Sequence, residues 1–143
     1  MADVSMNFRG CVMPWHFDQM GHMNARHIYA CFDDATAVFA AQLGADFGQV
    51  AVSGLGWADV LQEIHFIHEL RNGSAITVST RLLALGRSSI QFRHDLHSHD
   101  SADVAAWMNC KSVRFDTMTR RSVHIDGDLR KEITALLPDE VET

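Results

Sequence analysis

The stretch that follows Asn24 constrains the fold more than any other part of the chain. Across residues 25–43, apolar side chains recur at steps of three and four, which is the spacing of one face of an α-helix. Small or apolar residues fill most of the remaining positions, and a helix that is apolar nearly all round is buried on several sides. We therefore predict a long helix at 25–43 that is wrapped by the rest of the domain.

Both ends of this helix have sequence signals, and its start suggests a chemistry. Asn24 is a good N-cap because its side-chain oxygen can accept a hydrogen bond from a first-turn N–H, and Gly44 stands where a left-handed residue would end the helix. Asp18 lies a few residues upstream, across a turn that contains Gly21. The free N–H groups of a helix start favour negative charge on a carbonyl oxygen. A carboxylate beside such groups is the minimum needed to hydrolyse an activated ester.

The other segments predict strands joined by short turns. In chain order, we predict strands at 6–15, 56–68, 75–85, 89–98 and 102–116, with a short terminal helix at 129–137. Residues 45–54 are predicted to form a loop with a short helical turn. The order of one strand, one helix and four strands predicts an α+β fold, with an antiparallel sheet packed on the helix. Residues 1–143 are predicted to form a single domain.

Charge and residue counts exclude several classes of protein. The formal net charge of -6 argues against nucleic-acid binding, which normally needs a basic face. Asp33 and Asp34 interrupt the longest apolar run, so no membrane-spanning helix is predicted. The three cysteines have no metal-ligand spacing and no secretory leader before them, which indicates reduced thiols in a cytoplasmic protein. The nine histidines lack the spacing of a zinc site, so no metal is expected.

The turn and the helix together resemble the signature of a known family. Residues 18–24 are Asp-x-x-Gly-His-Met-Asn, and residues 32–35 are Phe-Asp-Asp-Ala. These runs are similar, without a gap, to the D-x-x-G-H-(V/M)-N-N and F-E-E-A motifs of hotdog-fold acyl-CoA thioesterases of the 4-hydroxybenzoyl-CoA thioesterase type. Ala25 stands where a second Asn is common and Ile28 where a Tyr is common, which bears on the subfamily and the substrate more than on the fold. The resemblance covers roughly residues 7–116.

The resemblance implies a hotdog fold and the hydrolysis of an acyl-CoA to a free acid and CoA. Carried over to this chain, Asp18 is either the nucleophile, through a transient acyl-enzyme anhydride, or the general base for water. The backbone N–H of Ala25 is the implied oxyanion donor, and Asn24 caps the helix. From the residues themselves, Gly21 either only makes the turn or also lets the backbone approach the thioester. His22 either positions the carboxylate or the loop, or is a turn histidine bonded to the backbone.

The resemblance also implies partners. The substrate is an acyl-CoA, with CoA as part of the substrate and no separate cofactor. Arg87 and Arg93 are implied contacts of the CoA phosphates. The protein is expected to form a homodimer or a homotetramer, in which residues around 59–68 of a second subunit complete the pocket. No nucleic acid or membrane partner is expected.

Two other functions stay open at this stage. A hotdog hydratase or dehydratase needs an acid/base pair, and the H-x-F-P-G-x-x-P pattern of the fatty-acid dehydratases is missing. A non-catalytic acyl-CoA or acyl-carrier binding module is the other alternative, and the intact motif at 18–24 argues against it. Some other hotdog enzymes use an acid on the long helix, which here would be Asp33 or Asp34.

The acyl group is not defined by the sequence. Several large apolar residues are candidates either for an acyl pocket or for the core: Met20, Met23, Phe47, Trp57 and Phe66. A second hypothesis is an aromatic cage for a cationic acyl group, formed by Trp15, Trp57 and Trp107.

Overall fold

The computed structural model describes residues 5–44 and 50–139 of the chain. Five long strands and one long helix dominate this part of the protein. The strands are β1 (Ser5–Cys11), β2 (Leu55–Phe66), β3 (Ala75–Leu85), β4 (Ser89–Ser98), β5 (Val104–Asp116) and the short β6 (Arg121–Ser122). The helices are α1 (Ala25–Gln42), α2 (Val50–Ser53) and α3 (Gly127–Ala135), and a 3₁₀ helix spans Pro14–His16.

The strands form one antiparallel sheet in the order β1-β3-β4-β5-β2, and β6 pairs with the end of β5. β5 lies between β4 and β2, which agrees with its apolar residues on both faces. β2 is at the edge, because among the described strands it pairs with β5 alone. A curled antiparallel sheet around one long helix is the hotdog arrangement, so the expected α+β hotdog fold is confirmed.

The long helix is buried on one side only. α1 packs mainly against β1, β3 and β4, through Ile28, Phe32, Ala35 and Phe39. Its other side, which includes Asp33 and Asp34 together with Tyr29 and Val38, is exposed. The prediction that the helix is buried on several sides is therefore wrong for the single chain, since α1 packs on the sheet through one face and its other face is exposed.

Most predicted elements are confirmed with small shifts of their ends. The first strand is the exception, because it ends at Cys11 instead of residue 15. Pro14 begins a 3₁₀ helix there, and proline fits the first position of a helix since it has no N–H to donate. The predicted loop at 45–54 is described only from Val50, where α2 begins, and Phe47 lies outside the described residues.

A buried histidine connects the helix to the sheet. His94 of β4 is fully buried and stacks on Phe32 of α1 at a ring-centroid distance of 5.9 Å. Its Nε2 lies 2.8 Å from Thr36 Oγ1 on α1, and its Nδ1 lies 2.6 Å from Thr80 Oγ1 on β3. The Thr36 hydroxyl donates to the carbonyl of Phe32. Nε2 therefore donates to Thr36, and Nδ1 accepts from Thr80, in a neutral imidazole.

Candidate active site

The turn before α1 holds the carboxylate of Asp18 in a fixed orientation. The backbone N–H of Met20 donates to Oδ1 of Asp18 at 2.9 Å, and the side-chain amide of Asn24 donates to Oδ2 at 2.8 Å. These two donors, first Met20 and then Asn24, hold the pKa of Asp18 below its ordinary value, and nearby His22 acts in the same direction. Asp18 is therefore a carboxylate at neutral pH, half-buried at the surface of the turn.

Backbone hydrogen bonds close the turn around Gly21. The N–H of Asp18 donates to the carbonyl of His22 at 3.2 Å, and the N–H of Gly21 donates to the carbonyl of Asp18 at 3.0 Å. Gly21 has a φ of 77°, in the left-handed region where a side chain would add strain. The glycine is therefore required by the turn itself, whatever its role toward a substrate.

The start of α1 leaves one N–H group free next to this turn. Asn24 is the N-cap, as predicted, because its side-chain oxygen accepts from the N–H of Arg26 at 3.0 Å. The N–H groups of His27 and Ile28 both donate to the carbonyl of Asn24. Among the described residues, the N–H of Ala25 has no acceptor, so it can donate to a bound group.

A cleft of about 290 Å³ joins this turn and helix start to the end of β2. One wall contains Asp18, His22 and Ala25, and the other is formed by residues 66–70. The second wall is anchored, because the N–H groups of Ile67 and His68 both donate to the carbonyl of Ala105 in β5. The structure thus brings together the five residues predicted for catalysis. Asp18, His22 and Ala25 line the cleft, Asn24 holds Asp18, and Gly21 lies in the same turn.

One residue of the cleft has no counterpart in the sequence prediction. Glu69 follows β2, and its Oε1 lies 2.9 Å from Nε2 of His22. This contact joins the two walls of the cleft. No motif or spacing marks Glu69, because its partner is distant in the sequence and only the folded sheet brings the two together.

The family follows from a comparison with known proteins. The profile of the thioesterase-like superfamily matches residues 12–133, which include the turn, α1 and all strands from β2 to β6. The chain belongs to the thioesterase-like superfamily. It is accordingly a thioester hydrolase, and the resemblance read from residues 18–24 and 32–35 is confirmed at the level of the family.

Individual relatives of this thioesterase agree with the assignment. The betainyl-CoA thioesterase of Pseudomonas aeruginosa is 24% identical over 136 residues, which cover 95% of this chain and 86% of the relative. A Staphylococcus aureus protein solved in complex with CoA has a TM-score of 0.85 at 15% identity, covering 98% of this chain and 90% of that chain. The 1,4-dihydroxy-2-naphthoyl-CoA thioesterase of Synechocystis has a TM-score of 0.79 at 13% identity, covering 92% of this chain and 96% of that chain. At these identities the structural matches establish the fold.

The predicted CoA contacts of this thioesterase lie away from the cleft. Arg87 is in the turn between β3 and β4, at the end of these strands opposite residues 66–70. The Nε of Arg93 is 2.8 Å from Oδ1 of Asp95, and its guanidinium lies 4.3 Å from the ring centroid of Trp107. Neither arginine lines the cleft of its own chain. Their contact with CoA stays a prediction.

The candidates for the acyl pocket divide into two groups. Met20, Met23 and Phe66 line the cleft beside Asp18. Trp57 instead lines a separate cavity of about 50 Å³ under the second half of α1, together with Phe39 and Asp59. Asp33 and Asp34 are exposed on the outer side of α1 and line neither cavity.

The proposed cage of three tryptophans is not formed in the chain. Trp15 lies in the 3₁₀ helix, and Trp57 lies under the guanidinium of Arg114. Trp107 is stacked on His65 at a ring-centroid distance of 3.9 Å. Trp57 pairs with Arg114 and Trp107 with His65 in the β2–β5 ladder, so these two rings are eight residues apart along β2 (positions 57 and 65). This hypothesis is therefore wrong as an arrangement within one subunit.

None of the three cysteines lines the cleft, and two of them are buried. Burial raises the pKa of Cys31 to about 11 and that of Cys110 to about 12, so both are thiols at neutral pH.

Across residues 5–44 and 50–139, no three side chains of the metal-binding types are grouped to hold an ion. None of the helices in these ranges is long and apolar enough to span a bilayer.

Proposed function

We propose that this thioesterase hydrolyses acyl-CoA thioesters to a free acid and CoA, with Asp18 as its catalytic carboxylate. The observation that supports this most is the ionised Asp18 in a cleft that also contains the free N–H of Ala25. The names of the P. aeruginosa and Synechocystis relatives, and the CoA in the S. aureus structure, support a CoA thioester as the substrate. A betainyl-CoA is one substrate to test, because the P. aeruginosa relative acts on it.

The proposed reaction uses the carboxylate and the helix start together. Asp18 either attacks the thioester carbon, giving an acyl-enzyme anhydride that water then cleaves, or removes a proton from a water molecule that attacks the same carbon. In both routes the carbonyl oxygen becomes an oxyanion, and the N–H of Ala25 donates to it. One such donor stabilises the transition state by about 3–4 kcal/mol. The C–S bond then breaks, and its electron pair leaves with the CoA sulfur as thiolate.

No separate cofactor is needed for this chemistry. A thioester has a good leaving group, so a positioned carboxylate and one backbone donor are sufficient without a metal ion. The hydrogen bonds from Met20 and Asn24 fix the carboxylate before substrate binds, which reduces the cost of positioning it for the reaction. Gly21 leaves the approach to the carboxylate open, since it has no side chain.

We further propose that the protein is a homodimer joined through β2. This strand is 12 residues long and has a free edge in the described chain, which favours pairing with another strand. Four large apolar residues on β2 or directly after it are more than half exposed to solvent: Val60 (59%), Leu61 (62%), Phe66 (55%) and Ile67 (51%). So many exposed apolar side chains are unusual for an edge strand that faces water. Pairing of two β2 strands would also cover the open side of the cleft near Phe66. Arg87 or Arg93 of the second subunit would then be the residues to test for CoA contact.

The test is the release of CoA thiol from a panel of acyl-CoAs by wild type and by Asp18→Asn. The substitution keeps the shape of the side chain and removes its charge. We expect the variant to lose roughly a hundredfold or more in kcat, the contribution of a positioned acid/base group or nucleophile. The matched control is Asp128→Asn on α3, an exposed carboxylate outside the cleft, which should keep wild-type activity.

Two further readouts on the same proteins, enoyl absorbance and acyl-CoA binding, distinguish the alternatives. If Asp18→Asn is as active as wild type, Asp18 is a turn residue only, and Asp34 is the next acid to test. If enoyl absorbance falls without thiol release, the hydratase is favoured. If acyl-CoA binds and no thiol is released, the protein is a binding module, and the proposed function is wrong.

A further inference from the structure

Apart from two histidines, the ionisable residues that line the cleft are carboxylates. Its eleven lining residues include two carboxylates, Asp18 and Glu69, and neither lysine nor arginine. Two histidines are the other titratable groups, and each contacts a carboxylate: His22 lies at 2.9 Å from Glu69, and His68 lies at 3.7 Å from Asp103. The remaining lining is apolar. A group that enters this cleft therefore meets apolar side chains and a negative field.

Glu69 is the carboxylate placed to act on a distant part of the acyl group. Both oxygens of Asp18 already accept hydrogen bonds, and its proposed role is at the carbonyl carbon. The side chain of Glu69 is 72% exposed and is on the opposite wall, close in sequence to Phe66. A carboxylate and an aromatic ring on one wall are the groups that bind an organic cation.

We propose that the cleft selects acyl groups by charge and that Glu69 is the specificity-determining residue. Glu69 favours a cationic acyl group over a neutral one of the same shape, and it disfavours an anionic one. This inference rests on the proposed function, because it assigns the acyl end of the substrate to the cleft that contains Asp18. The same field would also repel the carboxylate of the free acid and so assist its release.

The experiment compares three acyl-CoAs that differ in charge. Trimethylammonioacetyl-CoA and 3,3-dimethylbutanoyl-CoA have the same shape, with a positive nitrogen in the first and a carbon in the second. Malonyl-CoA places a carboxylate at the same distance from the thioester. kcat/KM is measured for each substrate with wild type, Glu69→Gln and Glu132→Gln. Glu132 is the control, since it is an exposed glutamate on α3, away from the cleft and from β2.

The decisive quantity is the ratio of kcat/KM for the cationic and the neutral substrate. Glu69→Gln should lower this ratio about fivefold, the effect of one partly exposed charge pair. It should leave the neutral substrate within about twofold and raise the rate on malonyl-CoA, and the ratio in wild type should fall with added salt. The intrinsic reactivity of each thioester cancels, because each substrate is compared across variants. Glu132→Gln should leave the ratio unchanged.

Three results would overturn the inference. An unchanged ratio in Glu69→Gln, with normal hydrolysis, would refute charge selection and leave the proposed function intact. An equal loss on all three substrates would make Glu69 a positioning residue that acts through His22. Absence of thiol release from every acyl-CoA with wild type would refute the proposed function, and this inference with it.

Discussion

Acidification should destabilise this thioesterase through a single buried side chain, His94. The imidazole lies between Thr36 on α1 and Thr80 on β3 and has no contact with solvent. Burial lowers the pKa of His94 from 6.5 to about 3, because a charge there would be desolvated. Protonation of Nδ1 would also remove the acceptor of the Thr80 hydroxyl.

The size of the stability loss follows from the difference between the pKa values of His94 in the unfolded and the folded chain. The unfolded chain binds a proton on this histidine below about pH 6.5, whereas the folded chain binds it only near pH 3. The stability that the neutral His94 contributes is therefore fully present above pH 6.5 and decreases as the pH falls below that value. At about pH 5 the unfolded histidine is almost fully protonated and the folded one is not. The free energy of unfolding should therefore be lower by about 2 kcal/mol at pH 5 than at pH 7.5 through His94 alone.

The assay is urea unfolding at a fixed protein concentration across this pH range, with wild type and His94→Gln. Glutamine keeps one donor and one acceptor for the two threonines but does not titrate. The loss of stability between pH 7.5 and 5 should be smaller in the variant by about 2 kcal/mol, whatever its stability at neutral pH. His99→Gln, the same exchange at an exposed histidine, should behave as wild type. An equal acid loss in His94→Gln and wild type would refute the reasoning.

Two further predictions concern the helix start and the edge strand. Asn24→Ala should lower the free energy of unfolding by about 1 kcal/mol, because the helix loses its N-cap. It should also raise the pKa of Asp18, because the carboxylate loses a hydrogen-bond donor. The acid limb of the pH–rate profile should therefore move to higher pH. Asn24→Ser should restore the stability but not the limb, and an unshifted limb in both would contradict the role of the amide. Leu61→Arg places a charge on the exposed edge of β2 and should convert the dimer to monomers, as measured by light scattering. The control Leu83→Arg on β3 should remain dimeric. A dimeric Leu61→Arg variant would exclude this interface.

The sequence predicted well those features that depend on neighbouring residues. The N-cap at Asn24, the left-handed Gly44 and the alternation along β4 are each set by residues within a turn or a strand of one another. The first strand was too long in the prediction because apolar composition alone does not show that Pro14 begins a 3₁₀ helix. The turn that holds Asp18 is likewise formed by residues close together in the sequence, so the sequence motif at 18–24 predicts it.

The sequence by itself therefore determined the long helix, the number of main strands, and the candidate carboxylate with the helix start beside it. Tertiary structure alone decided that α1 is open on one side, that Arg87 and Arg93 lie away from the cleft, and that Glu69 meets His22. Local features are fixed by short-range sterics and by hydrogen bonds within a few residues. Contacts across the cleft depend on strand order and on the register of β2 against β5, which are set by the packing of the whole sheet.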